Sequence, residues 1–261
     1  MVEKNYPKKE SPLMNKLVIL RHGESLWNLE NKFTGWIDID LSKNGENEAS
    51  SAGKLLKKEG FIFDLAYTSL LKRANNTLEI CMKNMDIEKS KKLKIIKNWR
   101  LNERHYGALQ GLNKKKTSEK YGQEQVLKWR RSFDIQPPAS KKTINDSELS
   151  FEISKKHIPL SESLRDVINR FKPYWKNEIL KKLKAGKKIL IVAHGNSLRA
   201  LLMIIKNISK ENIVNLNIPT GIPLVIEMDK NQQPIRDYYL GSKDSIAKKI
   251  HSVASQGSIN T

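Results

Sequence analysis

Two His-Gly pairs stand in the sequence where a buried strand is expected to end. His22 and Gly23 follow Arg21 and the apolar run "KLVIL", and His194 and Gly195 follow the run "ILIVA". A neutral imidazole can attack a phosphoryl group and carry it covalently. The planar guanidinium of arginine binds phosphoryl oxygens through two parallel hydrogen bonds. Together these residue types point to phosphoryl transfer.

Three more polar side chains follow the other predicted strands. Arg73 lies in the first turn of a predicted helix after the strand "DLAYTS", and Arg100 and Glu103 follow the strand "LKIIK". Nearby cations favour the unprotonated, nucleophilic form of His22, and Glu103 could exchange a proton with the alcohol oxygen of a phosphate ester. Because ligands of open α/β sheets bind at the carboxyl ends of the strands, we expect these groups to share one site.

Each of these residues also has a purely structural interpretation. His22 and His194 could be ordinary histidines at strand ends, and a surface ion pair between Glu103 and Arg104 would be worth little energy. Taken singly, each motif is a weak signal. Their shared placement at predicted strand ends favours the catalytic interpretation.

The elements that must position these residues alternate between strands and helices. The predicted strands cover residues 16–20, 63–69, 93–97, 187–193, 223–228 and 234–240, the last two as a hairpin. The predicted helices cover residues 43–59, 70–85, 113–133 with an interruption, 162–184, 197–207 and a short segment from 242. This alternation predicts an α/β fold, a three-layer sandwich in which a mostly parallel central sheet carries helices on both faces.

The pattern also predicts the organisation of the chain. We expect a single catalytic domain over residues 16–261, preceded by a disordered lead-in at residues 1–15. The stretch at about 104–160 reads as an insertion within that domain, and a tail begins at about residue 241.

The composition narrows the classes of protein that remain. The net charge is +20, with 38 lysines and 10 arginines, and the lysines are scattered without interleaved aromatic residues. That pattern favours solvated surfaces over nucleic-acid binding.

The single cysteine, Cys81, favours a reducing, cytoplasmic compartment and argues against a thiolate metal site. No apolar run approaches the roughly 20 residues of a membrane span, and the polar N-terminal residues lead us to expect no secretory signal.

The segment "LVILRHGESLWN" at residues 17–28 resembles the signature of the histidine phosphatase superfamily. Further segments resemble the 2,3-bisphosphoglycerate-dependent phosphoglycerate mutases. They are "KFTGWIDIDLSKNG" (32–45), "YTSLLKRANNTL" (67–78), "LNERHYGALQGLNK" (101–114), "WRRSFDIQPP" (129–138), "AHGNSLRALL" (193–202) and "LNIPTGIPLVIEMD" (216–229). The resemblance runs from about residue 16 to residue 258 and implies a phosphoglycerate mutase-like fold.

The resemblance implies an interconversion of 3-phosphoglycerate and 2-phosphoglycerate that is primed by the cofactor 2,3-bisphosphoglycerate and needs no metal. His22 would carry the phosphoryl group, and Glu103 would be the general acid/base. The clamp on the transferring phosphoryl group would consist of Arg21, Arg73 and His194. The implied substrate-binding residues are Ser25, Asn28, Thr34, Gly35, Tyr106, Lys114, Arg130, Arg131, Gly195 and Asn196.

Within the insertion, the resemblance implies that Tyr106, Lys114, Arg130 and Arg131 hold the carboxylate and the phosphate that is not transferred. An insertion with three cations suits a lid that excludes water over a doubly charged acid. From the residues alone, the Arg130–Arg131 pair would be a solvated helix face. Members of the family are commonly homodimers or homotetramers.

Three alternatives stay open from the sequence. A phosphatase on the same fold would use the same residues with water as the acceptor, and a bisphosphoglycerate mutase would orient one substrate differently. A polyanion-binding protein would keep the site only as a vestige, and its binding would weaken steeply with salt. Lys114, the Arg130–Arg131 pair, "IPTGIPL" and the tail at 241–258 favour the mutase.

Overall fold

The computed structural model describes residues 15–86, 93–141 and 152–256. Its strands are β1 Asn15–Arg21, β2 Leu65–Thr68, β3 Lys94–Lys97, β4 Ile189–Ala193, β5 Leu224–Met228 and β6 Pro234–Tyr239. They form one sheet in the order β3-β2-β4-β1-β5-β6. The first four strands of that order are parallel, whereas β5 is antiparallel to both β1 and β6. The predicted parallel core and the predicted hairpin at residues 223–240 are therefore both present.

Nine α-helices accompany the sheet in the described residues. They are α1 Leu26–Leu29, α2 Lys43–Lys58, α3 Lys72–Asn84, α4 Lys114–Tyr121, α5 Gln123–Arg131, α6 Leu164–Tyr174, α7 Leu180–Lys184, α8 Gly195–Lys206 and α9 Lys243–Ser255. The predicted helix at 162–184 is observed as α6 and α7 joined by a π-helical turn, Trp175–Ile179. Pro173 lies just before that turn, and proline cannot donate the backbone hydrogen bond that a regular α-helix requires.

The central strands are buried because helices cover both faces of the sheet. In β1, Leu17 and Ile19 pack in the cluster formed with α6, α7 and α8, whereas Val18 and Leu20 pack in the cluster formed with α2 and α3. Successive side chains of a strand point to opposite faces, so a strand covered twice must be apolar at every position. This explains the continuous run "KLVIL" and confirms the three-layer α/β architecture.

Most of the predicted insertion at 104–160 lies within the described residues. It contains α4, α5 and two short 3₁₀ turns, Gly107–Leu109 and Lys155–His157. Residues 142–151 lie outside the described residues, and so do residues 1–14 of the predicted lead-in. None of the helices in the described part of the chain is both long enough and apolar enough to cross a membrane.

Candidate active site

A pocket opens where the carboxyl ends of β1, β4 and β2 meet. The backbone N–H of His22 donates to the carbonyl oxygen of Ala193 (3.0 Å), which places the ends of β1 and β4 side by side. The predicted site residues that line this pocket are Arg21, His22, Asn28, Thr34, Gly35, Arg73, Glu103, Tyr106, Lys114, Arg130, Arg131, Gly195 and Asn196.

Two of the predicted site residues do not line the pocket. His194 lies beside it, with its ring centroid 5.0 Å from that of His22. Ser25 caps α1, because its hydroxyl accepts from the N–H of Asn28 (3.2 Å) and the Asn28 side chain accepts from the N–H of Ser25 (3.1 Å). In the structure, Ser25 therefore stabilises the turn that presents Asn28 to the pocket.

His22 is held in one tautomer by its own backbone. Its Nδ1 lies 2.7 Å from the carbonyl oxygen of Gly23. Since a carbonyl only accepts hydrogen bonds, Nδ1 carries the proton and Nε2 keeps its lone pair. Burial, together with the charges of Arg73 and Arg21, lowers the pKa of His22 well below its usual value. The imidazole is therefore neutral at physiological pH, with an unprotonated Nε2.

The loop after His22 needs glycine because two backbones meet there. A Cβ atom at Gly23 would lie 2.2 Å from the carbonyl oxygen of Gly45, the third residue of α2. The N–H of Gly23 also donates to the hydroxyl of Thr77 in α3 (3.0 Å). These contacts dock the loop on the amino-terminal turn of α2 and hold His22 in place.

His194 is fully buried and is bonded through one ring nitrogen. Its Nε2 lies 2.7 Å from the hydroxyl of Ser69, at the end of β2. Its Nδ1 is buried and has no hydrogen-bond partner within the described residues. Burial and the charge of Arg73 lower the pKa of His194 well below its usual value. A second neutral imidazole with an unused nitrogen therefore stands beside His22.

Two buried arginines are anchored by backbone carbonyls around His22. Arg73 donates to the carbonyl oxygens of Gly35 (2.7 Å) and Ile37 (3.0 Å), and Arg21 donates to that of Ile218 (2.8 Å). Burial lowers the pKa of Arg73 to about 10, so it stays protonated at neutral pH. The Nε of Arg21 is buried without a partner among the described residues.

Glu103 is oriented by two backbone N–H groups. Its Oε1 accepts from the N–H of Arg104 (2.7 Å) and from the N–H of Asn196 (3.1 Å) in the first turn of α8. A Cβ atom at Gly195 would lie 3.6 Å from both Glu103 Oε2 and Arg21 Nε, so the carboxylate and the guanidinium flank the same glycine. Glu103 therefore stands at the pocket wall with a fixed direction.

A second group of cations lies on the insertion, and the carboxyl-terminal helix contacts it. Lys114 Nζ donates to the side chain of Gln256 (3.0 Å), Arg130 donates to the carbonyl oxygen of Gln256, and Arg131 donates to that of Val253 (3.2 Å). Burial and the neighbouring arginines lower the pKa of Lys114 well below its usual value. A bound anion would oppose that shift. The solvated-face interpretation of the Arg130–Arg131 pair is wrong, because Arg130 is only 7% exposed and Arg131 lines the pocket.

Sequence reasoning missed one pocket arginine and misplaced another residue. Arg199 lines the pocket from α8 and donates to Asn196 Oδ1 (2.8 Å) and to the carbonyl oxygen of Arg131 (3.0 Å). The available signal was a lone cation in the apolar helix "LRALLMII". Arg104 forms no surface ion pair with Glu103, because it is fully buried with its guanidinium 4.6 Å from the ring centroid of Tyr106.

The pocket is strongly cationic. One carboxylate, Glu103, faces seven cationic lining residues, which are Arg21, Lys32, Arg73, Lys114, Arg130, Arg131 and Arg199. This imbalance favours a ligand with several negative charges. Within residues 15–86, 93–141 and 152–256, no group of three or more His, Cys, Asp or Glu side chains is arranged to hold a metal ion.

Three buried neutral histidines predict that the protein loses stability in mild acid. Burial lowers the pKa of His105 to about 4, and His22 and His194 are also shifted down. Below pH 6.5 the unfolded chain therefore binds protons that the folded chain does not. Each such histidine should cost about 1.4 kcal/mol of unfolding free energy per pH unit below the unfolded pKa.

Urea unfolding at pH 7.5, 6.5 and 5.5 measures this dependence. His105→Gln removes one of the three histidines without changing a residue that lines the pocket. We expect the unfolding free energy of this variant to fall less steeply below pH 6.5. Replacement of the exposed His251 is the control for the loss of a surface side chain. An unfolding free energy that stays constant over this range would contradict the neutral state of the three histidines.

The cationic pocket lies at the carboxyl edge of an open α/β sheet, which is where such sheets bind their ligands. Over residues 17–240 the sequence matches the histidine phosphatase superfamily (branch 1). The match spans most of the chain, and the protein belongs to this superfamily.

Solved structures share the fold at low sequence identity. A mycobacterial glucosyl-3-phosphoglycerate phosphatase is 22% identical, with a TM-score of 0.61 over 81% of this chain and 92% of its own. A putative α-ribazole-5'-phosphate phosphatase from Escherichia coli is 19% identical, with a TM-score of 0.63 over 87% of this chain and 97% of its own. A phosphoglycerate mutase from Bacillus anthracis is 19% identical, with a TM-score of 0.61 over 94% of this chain and 97% of its own.

Proposed function

We propose that the protein is a phosphoglycerate mutase that interconverts 3-phosphoglycerate and 2-phosphoglycerate through a phosphoryl group on His22. The observation that carries the proposal is the second group of cations, Lys114, Arg130 and Arg131, in the same pocket as His22. A phosphatase must recognise the phosphoryl group that it removes. A mutase must also hold a carboxylate and a second phosphate, and these cations match that need.

The pocket suits 2,3-bisphosphoglycerate as a priming cofactor. Arg21 Nε and Thr34 Oγ1 belong to lining residues and are buried polar atoms without partners among the described residues. Such atoms are normally satisfied, and phosphoryl and carboxylate oxygens would satisfy them. When bound, the cofactor would supply the phosphoryl group that primes His22.

The chain's own residues can perform the transfer in both directions. Nε2 of His22 would attack phosphorus as the bond to the ester oxygen breaks, and Glu103 would protonate that oxygen. In the next step Glu103 would accept the proton of the hydroxyl that takes the phosphoryl group back from His22. Arg21 and Arg73 would stabilise the charge on the phosphoryl oxygens, because backbone carbonyls fix them in advance.

The contacts of α9 support transfer over hydrolysis. Val253 and Gln256 line the pocket and bond the cations of the insertion. The carboxyl-terminal segment therefore covers the part of the pocket where an intermediate would turn between its two orientations. Covering the site excludes water, which would otherwise accept the phosphoryl group.

A metal-free assay of 3-phosphoglycerate conversion tests the proposal. The reaction would run in EDTA with and without 2,3-bisphosphoglycerate, and it would then be quenched. Enolase in a separate magnesium-containing step would measure 2-phosphoglycerate, and inorganic phosphate would be measured in the same samples. We expect strong activation by 2,3-bisphosphoglycerate and little release of phosphate.

Two other results would overturn the proposal. Phosphate release without 2-phosphoglycerate would assign the site to a phosphatase, the activity named for two of the structures with the same fold. Absence of both products, with binding to polyanions that weakens steeply with salt, would indicate a vestigial site.

Arg131→Ala should mainly weaken substrate binding. The Arg131 guanidinium donates to the carbonyl oxygen of Val253, and its loss removes a charged hydrogen bond to substrate worth about 1.5–3 kcal/mol. We therefore expect the KM for 3-phosphoglycerate to rise by roughly 10- to 150-fold. Steady-state kinetics measure the effect, with Lys128→Ala on the exposed side of α5 as the control. An unchanged KM would remove Arg131 from the substrate site.

A further inference from the structure

One buried carboxylate, that of Glu48 in α2, joins three separate segments around the pocket. It accepts from the backbone N–H of Glu24 (2.8 Å) and from the hydroxyl of Thr220 (3.1 Å). It also forms an ion pair with Lys249 of α9 (2.8 Å). Glu48 is only 7% exposed, whereas the Lys249 side chain is 31% exposed, so the carboxylate is buried and the ion pair is partly exposed.

Each of the three segments carries part of the pocket. Glu24 belongs to the loop that presents His22. The segment around Thr220 anchors Arg21, since the carbonyl oxygen of Ile218 accepts from its guanidinium (2.8 Å) and the N–H of Gly221 donates to its backbone carbonyl (3.0 Å). The third segment, α9 with the Gln256 that follows it, brings Val253 and Gln256 to the cations of the insertion.

The helix α9 has few other attachments to the body of the protein. Val253 is the one buried side chain among its thirteen residues. The helix follows Gly241, whose φ of +114° is accessible to glycine and strained for other residues. Lys249 makes two contacts at once, because its ammonium also donates to the carbonyl oxygen of Thr220 (3.2 Å). Lys249 therefore makes the main polar contacts between the middle of α9 and the rest of the protein.

We propose that Lys249 is a positioning residue that, through Glu48, holds α9 over the pocket and limits hydrolysis of phosphorylated His22. The inference rests on the proposed function for its catalytic consequence. In the hydrolysis that it limits, a water oxygen bonds to phosphorus and the bond to Nε2 of His22 breaks. The electron pair returns to Nε2, and the water proton passes to Glu103 or to the released phosphate.

Lys249→Met tests the proposal, because methionine keeps an unbranched side chain and removes the ammonium. Lys249→Arg restores the charge, and Lys248→Met removes one charge from the neighbouring, exposed position of α9. Hydrogen exchange of the α9 amides measures the docking of the helix directly. The fraction of labelled phosphoryl groups lost as inorganic phosphate, relative to those transferred to 3-phosphoglycerate, measures the catalytic consequence.

For Lys249→Met we expect α9 amide exchange and the hydrolysed fraction each to rise about two- to fivefold, the range of a partly exposed ion pair. Lys249→Arg should largely restore both values, and Lys248→Met should match the unmodified protein. Equal exchange rates in Lys249→Met and Lys248→Met would overturn the proposal, as would faster exchange with an unchanged hydrolysed fraction. If the unmodified protein makes no 2-phosphoglycerate, the proposed function fails, and the exchange rates still decide whether Lys249 holds α9.

Discussion

The His22→Ala protein should take up no phosphoryl label from 2,3-bisphosphoglycerate and should keep its fold. His22 is the pocket residue whose neutral ring is held with Nδ1 protonated and Nε2 free. Removing the ring removes the proposed nucleophile, and among the described residues that line the pocket no other carries an imidazole. The strand before it, β1, is held by its own pairing with β4 and β5, so the change leaves the sheet in place.

The measurement uses ³²P-labelled 2,3-bisphosphoglycerate and counts acid-labile, protein-bound phosphate after alkaline denaturation. His157→Ala is the matched control, because His157 stacks on Trp99 away from the pocket lining and its loss should leave labelling stoichiometric. His194→Ala should slow labelling without abolishing it. Label retained by His22→Ala and lost in His194→Ala would make His194 the nucleophile.

Glu103→Gln should lower kcat by about 10²- to 10⁴-fold, the usual contribution of a general acid/base. Glutamine still offers an oxygen to the N–H groups of Arg104 and Asn196, so the geometry of the wall is kept. What is lost is the ability to give and accept a proton. Glu24→Gln is the control, because Glu24 carries a carboxylate in the loop that presents His22 and does not line the pocket.

The choice of phosphate ester separates proton transfer from positioning. p-Nitrophenyl phosphate releases a phenolate that needs little protonation, so Glu103→Gln should slow phosphorylation of His22 by this ester much less than by 2,3-bisphosphoglycerate. An equal loss with both esters would show that Glu103 acts by holding the site together. Unchanged kcat would remove it from the reaction.

Local patterns in the sequence were enough to predict the fold and the centre of the site. The runs "KLVIL" and "ILIVA" are apolar because β1 and β4 are covered on both faces. Burial of this kind can be recognised from the order of the residues in the sequence. The residues directly after them, His22 and His194, must then lie at the same sheet edge, since parallel neighbouring strands end together. For this reason the two histidines and Arg21 were predictable as members of one site, whereas the pairing of β1 with β4 came from the structure.

Residues whose burial depends on distant partners could not be assigned in this way. Arg104 and the Arg130–Arg131 pair look like surface residues in a polar stretch, and only the packing of α5 and of the carboxyl-terminal segment encloses them. Ser25 lies in the signature segment, yet the structure uses it to cap α1.

The sequence by itself determined the α/β architecture, the strand ends and the residue types that meet there. These follow from patterns within about ten residues, where periodicity and chain direction act. The tertiary structure alone decided which cations share the pocket with His22, and that Gln256, directly after α9, reaches them more than a hundred residues after Lys114 and Arg130. Contacts between residues so far apart in the sequence depend on how the helices pack. A sequence pattern within about ten residues does not specify that packing.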